Sequence, residues 1–299
     1  MLTIISKQVH SMATILITGA SGQLGKELEN ASGSYFGYEF IFTDISDLDI
    51  TDSSKVCSFI RNNKPDWIIN CAAWNFVDKA ESEPDSAMLI NGTGVSNIVA
   101  AIMESECRFI HISSDYVFNG MANAPYDETV PPDPLSAYGR SKLAGEKYAL
   151  NYYGSMIIRT SWLYSSFGDN FLKTILKKAS ENEQLNVVFD QTGTPTYAAD
   201  LAGAILTIIA GVIRNQVAFN TGIYHYSNEG VCSWYDFAKA IIEEAGLECR
   251  VLPVLSGEFP SVAPRPAYSV LNKNKIKENY DIMIPHWHES VKKCISKLK

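Results

Sequence analysis

The sequence predicts an α/β fold, a doubly wound parallel sheet followed by a smaller C-terminal lobe. Three observations carry this. Strand-length apolar runs alternate with helix-length segments, the first run ends in a glycine-rich turn, and the runs are too uniformly apolar to leave one face wet. Residues 14–18 form a β-branched run, glycine-rich sequence follows, and a helix is expected over 23–30. Residues 39–43 make a second strand, 53–62 a helix and 67–70 a third strand. A longer helix is expected over 84–105, with Pro84 in its first turn, where a missing N–H costs nothing. Strands over 109–113 and 156–160 flank a helix over 136–153. The right-handed crossover rule folds this alternation into a sheet covered on both faces. Beyond Ser161 the pattern loosens. Helices are expected over 170–183, 198–213, 233–246 and 286–298, short strands over 186–189 and 223–226, and proline-rich loops over 253–266.

Composition narrows the class. Of 299 residues, 46% are hydrophobic and 19% charged, with 19 glycines and 12 prolines, which excludes collagen-like, coiled-coil and disordered chains. An excess of acidic over basic residues, 33 against 25, gives a net charge of -8 and argues against nucleic acid or an anionic membrane as main partner. Cysteines 57, 71, 107, 232, 249 and 294 form no Cys-x-x-Cys pair and no cluster with histidine. Buried reduced thiols, no metal site and a reducing cytoplasm are the expectation. The longest lipophilic stretch, 201–213, is interrupted by Gly203 and Gly211 and falls short of the roughly 20 residues a membrane span needs. Residues 1–11 show no long apolar core or cleavage site and are set outside the fold, as a remnant or a misassigned start.

Gly19-Ala20-Ser21-Gly22-Gln23-Leu24-Gly25 lies between the first strand and the first helix. Glycines there permit a tight turn, close approach of backbone to a pyrophosphate, and close helix–sheet packing. The cofactor candidates are therefore Gly19, Ser21, Gly22, Gln23, Leu24 and Gly25, in a Rossmann-like body. Asp44 closes the second strand about 20 residues on, where an acid binds the adenosine ribose hydroxyls. No Lys or Arg occurs between Asp44 and Asp52, which leans the cofactor toward NADH over NADPH, and Asp49-Ile50 is expected to flank the adenine. The body spans 12–165, rejoined in part by segments of about 190–245, and 166–299 form mainly the substrate lobe.

Tyr138-Gly139-Arg140-Ser141-Lys142 puts a phenol and an ammonium four residues apart, on one face of the expected helix. The strand ending Ser113-Ser114-Asp115 brings a hydroxyl to the same ligand-binding edge of the sheet. Hydride addition to a carbonyl leaves charge on oxygen, which a hydroxyl stabilises and a phenol protonates. A neighbouring ammonium is expected to lower the phenol's pKa. Ser141, off the shared face, is expected to be silent.

These motifs resemble the extended short-chain dehydrogenase/reductase superfamily and, more narrowly, the dTDP-4-dehydrorhamnose reductase family. The resemblance runs from Ala13 to the C-terminus. It includes Asn70-Cys71-Ala72-Ala73, Val77-Asp78-Lys79-Ala80-Glu81, Ser113-Ser114-Asp115-Tyr116-Val117-Phe118, Arg159-Thr160-Ser161-Trp162 and Asp190-Gln191-Thr192-Gly193-Thr194-Pro195-Thr196. It implies Ser114, Tyr138 and Lys142 as the catalytic set, with Lys142 and Tyr138 also touching the cofactor's ribose end. It further implies Ala72 and Ala73 along the cofactor, and Tyr116 and Trp162 against a sugar. Trp74-Asn75-Phe76 departs from the family's usual residues and leaves that pocket wall open. Arg265, between Pro264 and Pro266, is read either as a diphosphate ligand or as an interlobe ion pair. His111, inside an apolar strand, reads as a core residue. The implied activity is NADH- or NADPH-dependent reduction of a 4-keto dTDP-deoxysugar by a cytoplasmic monomer or homodimer. A nucleotide-sugar epimerase or dehydratase, and a non-catalytic subunit like the β subunit of methionine adenosyltransferase, are the alternatives.

Overall fold

The computed structural model describes residues 12–259 and 261–298; the segment 1–11 set apart above lies outside the described residues. The chain runs β1 (Ala13–Thr18), α1 (Gln23–Ser32), β2 (Tyr38–Thr43), α2 (Ser53–Asn63), β3 (Trp67–Asn70), α3 (Val77–Ser82), α4 (Pro84–Met88), α5 (Gly94–Ile102) and β4 (Arg108–Ser114). It continues through α6 (Ala137–Leu150), β5 (Ser155–Thr160), β6 (Leu163–Tyr164), α7 (Phe171–Glu181), β7 (Gln184–Val188), β8 (Thr192–Gly193), β9 (Thr196–Tyr197) and α8 (Ala198–Ile213). Last come β10 (Gly222–His225), β11 (Cys232–Ser233), α9 (Trp234–Ala245), β12 (Arg250–Val254), α10 (Asn274–Tyr280) and α11 (Trp287–Ser296).

The main sheet has six parallel strands in the order β10-β5-β4-β3-β1-β2. Its strands alternate which face they feed, and both faces are dry. Ile15, Ile17, Trp67 and Ile69 pack with α1, α8 and α10 on one side, while Leu16, Ile68, Phe109 and Ile157 pack with α2, α5 and α6 on the other. That burial explains why these strands read as apolar runs. A separate apolar cluster gathers α7, α9, α11 and β7 beside the sheet's C-terminal half. Among the described residues no helix is long and apolar enough to cross a membrane.

The short elements α3, β6, β8, β9 and β11 were not expected from the sequence, and three further differences bear on the packing. The helix expected over 84–105 is α4 and α5 joined by a π-helical turn, Leu89–Thr93. That turn carries Asn91, whose side chain accepts from the Trp74 N–H at 2.8 Å and donates to the Trp74 carbonyl at 3.0 Å. The loop expected around Pro253 includes a strand instead, β12, paired in parallel with β7. Because this is a two-stranded sheet, Pro253 sits on an edge, where a missing N–H is tolerated. α10 was not anticipated, although its Ile276 and Tyr280 belong to the main core.

The first turn shows why glycine is needed there. Gly19 has φ +67°, and a Cβ on it would lie 2.5 Å from the Ala72 nitrogen. A Cβ on Gly25 would lie 2.5 Å from the Ala20 Cα, so α1 can approach β1 only without one. Gly25→Ala should destabilise the protein by about 1–3 kcal/mol through overpacking. Gly203→Ala, in α8 with open space around it, should instead stabilise by about 1 kcal/mol through helix propensity. Thermal denaturation of the two variants checks both signs.

Candidate active site

A cleft of about 370 Å³ opens over the carboxyl ends of β1, β3, β4 and β5, beside the point where the strand order reverses. Gly19, Gly22, Gln23, Leu24 and Gly25 line it from the glycine turn. Gly22 caps α1 without a side-chain bond and the first turn holds no acid, so the helix offers its positive end and free N–H groups to an anion. This uncapped, Cβ-free cradle fits a dinucleotide pyrophosphate.

The expected cofactor residues divide. Cys71 and Ala73 line the cleft from the end of β3, whereas Ala72 packs its backbone against Gly19 and lies outside the lining. Ser21 also lies outside it and donates its N–H to Asp44 Oδ2 at 2.8 Å. The other Asp44 oxygen accepts from the Ile45 N–H at 2.7 Å. Burial raises the Asp44 pKa, but the Ile45 and Ser21 bonds, helped by Lys26, outweigh it and hold the carboxyl below its ordinary value. Lys26 comes from α1, so the loop after β2 is not as free of positive charge as its own sequence suggested. Asp49 is turned to the Thr51 amide and hydroxyl, at 2.9 and 2.7 Å. Ile50 is buried in the core against Gly94 and does not line the cleft.

Ser114, Tyr138 and Lys142 all line the cleft. Ser136 caps α6 by accepting the Gly139 N–H at 3.0 Å, which fixes the turn that carries Tyr138. Lys142 donates to the Ile112 carbonyl at 2.7 Å. Burial draws its pKa down to about 8, with Glu146 acting in the opposite direction. Tyr138 is raised, not lowered: burial dominates, the Ser114 hydroxyl opposes it, and the lysine is not among the groups that move it. The expected ammonium effect is thus absent, and desolvation sets the direction. Asp115, 1% exposed, accepts the Ser114 hydroxyl at 3.0 Å, and burial lifts its pKa to about 7 against bonds from Ser269 and Ser114.

On the far wall, the Tyr116 ring meets Tyr138 edge-on at 5.5 Å. Arg265 lines the cleft and also forms an ion pair with Asp78 at 2.9 Å, with its Nη1 3.5 Å from the Tyr116 hydroxyl. The ion-pair reading of Arg265 therefore describes its contacts. Trp162, at φ +46°, stacks on Trp234 at 3.6 Å and 8°, and a Cβ on Gly193 would strike its ring at 2.6 Å. A second cavity of about 770 Å³ adjoins the first and shares Phe171, Trp234 and Arg265 with it. Trp234 was missed because it opens a C-terminal helix with no local motif. Asn75, in the departing segment, lines the cleft 3.5 Å from the Tyr138 hydroxyl. His111 is buried as expected, with Nδ1 3.1 Å from the Asn70 amide, but its Nε2 has no partner among the described residues.

A parallel sheet with a cleft at its switch point, and a serine, tyrosine and lysine converging there, defines an extended short-chain dehydrogenase/reductase. The RmlD substrate binding domain family matches residues 12–299, and the chain belongs to that family. It is 42% identical over 285 residues to the spore coat polysaccharide biosynthesis protein SpsK of Bacillus subtilis, covering 95% of this chain and 97% of that one. It is 40% identical over 289 residues to a dTDP-4-dehydrorhamnose reductase of Aggregatibacter actinomycetemcomitans, covering 94% and 98%. The dTDP-4-dehydrorhamnose reductase of Bacillus anthracis, solved in complex with NADP, superposes with a TM-score of 0.90 at 39% identity, covering 95% of this chain and 99% of that one.

Ser141, expected to be silent in catalysis, has a structural part. It is 1% exposed, accepts from Asn91 Nδ2 at 2.9 Å and donates to the Tyr138 carbonyl at 2.7 Å. Ser141→Ala leaves a buried donor on Asn91 short of a partner and should cost about 1–3 kcal/mol, read as a lower Tm. An unchanged Tm would show that this bond adds nothing.

Proposed function

We propose that this chain catalyses the NAD(P)H-dependent reduction of the 4-keto group of dTDP-4-dehydro-L-rhamnose to dTDP-L-rhamnose. The observation that supports it best is the meeting of Ser114, Tyr138 and Lys142 beside an uncapped glycine turn, in one cleft. The names and the NADP complex of the close relatives support the substrate and the cofactor class.

A reduced nicotinamide, when bound, supplies the hydride. The chain's part is to receive the charge that develops on the ketone oxygen. Ser114 donates a hydrogen bond to that oxygen and Tyr138 delivers the proton. The raised pKa of Tyr138 keeps it in its protonated, donating form at neutral pH. Lys142, which lines the same cleft, holds the ribose hydroxyls. Asp44 contacts the adenosine end, and the Arg265 guanidinium and Tyr116 lie toward the sugar diphosphate. The larger cavity, reached past Trp234, receives the nucleotide end of the substrate, and the main sheet with its helices holds the cofactor. Six unpaired cysteines suit a cytoplasmic setting.

Incubation of pure protein with that sugar nucleotide and either NADH or NADPH should oxidise the cofactor stoichiometrically. No oxidation with either one sinks the proposal. Tyr138→Phe should lower kcat by about 10²–10⁴-fold while leaving cofactor affinity near that of the wild type. Near-normal turnover with chemistry rate-limiting would remove Tyr138 as the acid. Asp44→Asn should raise the NADPH-over-NADH ratio of kcat/KM by about tenfold, since a carboxylate favours ribose hydroxyls and repels a 2′-phosphate. An unmoved ratio would show that cofactor choice is set elsewhere.

A further inference from the structure

α6 carries a third ionisable group on the face that holds Tyr138 and Lys142. Glu146 lies one helical turn beyond Lys142 and is as deeply buried, 1% exposed against 2%. Its carboxylate is gripped from two neighbouring strands. Arg159 of β5 donates to both oxygens, Nε to Oε1 at 2.8 Å and Nη2 to Oε2 at 2.7 Å. Ser113 of β4, directly across the sheet from Arg159, donates its hydroxyl to Oε1 at 2.5 Å. Stability does not account for a forked ion pair at this depth. Taking both charges out of water costs about what their attraction returns, and apolar residues often replace such pairs without loss. What an apolar pair cannot do is act on an ammonium one turn away.

We propose that Glu146 is a positioning residue of this site: its carboxylate, oriented by Arg159 and Ser113, keeps Lys142 charged and placed for the cofactor. The proposal rests on the reductase reading, but its test needs no sugar substrate. Burial drives Lys142 toward the neutral amine, and Glu146 is the larger of the opposing influences, ahead of Cys71. Cys71 is itself held as a thiol by burial, its pKa pushed up to about 12. The other titratable groups around the lysine, His111 from β4 and Tyr138 from α6, are likewise neutral through burial. Beyond Arg159, His225 of β10 is kept neutral by burial and by the guanidinium. Glu146 is thus the standing anion that acts on Lys142 among the described residues. The same carboxylate bonds Ser113, the chain neighbour of Ser114, so one group ties the lysine's helix to the strand that carries the hydroxyl.

The experiment is cofactor binding by the full chain, with NADH and NADPH titrated by fluorescence across neutral to alkaline pH. Wild type should lose affinity as pH rises through the lysine's shifted value of about 8. Lys142→Met should abolish that dependence. In Glu146→Gln the midpoint should move to lower pH by about one unit, because removing a nearby anion favours the neutral amine. This variant leaves Arg159 buried without its partner, so Glu146→Gln/Arg159→Met is measured beside it and should shift the midpoint in the same direction, by less because a cation leaves with the anion. A midpoint unmoved in the folded variants, with only Tm reduced, overturns the proposal and leaves the pair a structural brace. A pH dependence that persists in Lys142→Met overturns it as well. If wild type binds cofactor with this dependence yet reduces no 4-keto sugar nucleotide, the reductase reading fails and the positioning role stands.

Discussion

A helix that buries a polar face constrains everything packed against it, and α6 is such a helix. Tyr138, Ser141, Lys142 and Glu146 are all below 9% exposed, and their neighbours must supply partners or the face cannot be buried. The Ile112 carbonyl takes the lysine, Arg159 and Ser113 take the glutamate, and Asn91 takes the serine. These four partners come from three elements: the end of β4, the end of β5 and the π-helical turn. Satisfying α6 therefore ties it to those elements, and the ends of β4 and β5 line the cleft.

The same burial sets the electrostatics. Water is largely excluded around Tyr138 and Lys142, and exclusion pushes both toward their neutral forms, the phenol up and the ammonium down. For a proton donor the first shift is useful at neutral pH. For the ribose anchor proposed above the second is a liability. Asp115 extends the pattern, because burial lifts it to about 7 while it holds the Ser114 hydroxyl. The Ser114 hydroxyl, proposed above to donate to a substrate oxygen, is thus already donating to a carboxylate poised near neutrality.

Much of this was legible in the sequence where the determinant was local. β3 falls on the expected residues because a run of buried residues is its own signal. The glycine turn, Ser114 and the Tyr138–Lys142 pair were legible because short spacing fixes their geometry. What escaped depends on contacts distant in the chain. The π-helical turn follows from the bonding of Asn91 to Trp74 and Ser141, 17 and 50 residues away. Ser141 looked idle because helical position says which way a side chain points, not whether a neighbouring helix waits there. Lys26 near Asp44 and Trp234 over the cleft were invisible for the same reason. The raised phenol pKa escaped because a sequence shows neighbours but not solvent.

Trp162 shows how such distant contacts shape the site's outer wall. A bulky residue at positive φ is strained, and it persists only where its surroundings over-determine it. Here one ring face lies on Trp234, at the start of α9, and Gly193 of β8 leaves no room behind it. The preceding Ser161 donates to the Thr194 carbonyl at 2.7 Å, and the Trp162 carbonyl accepts the Thr196 N–H at 3.2 Å. The strain arises at the end of the sheet body, and the contacts that hold it come from the C-terminal half. The cleft is therefore lined by parts of the chain that must dock to complete it. Trp234, shared by both cavities, stands at that junction.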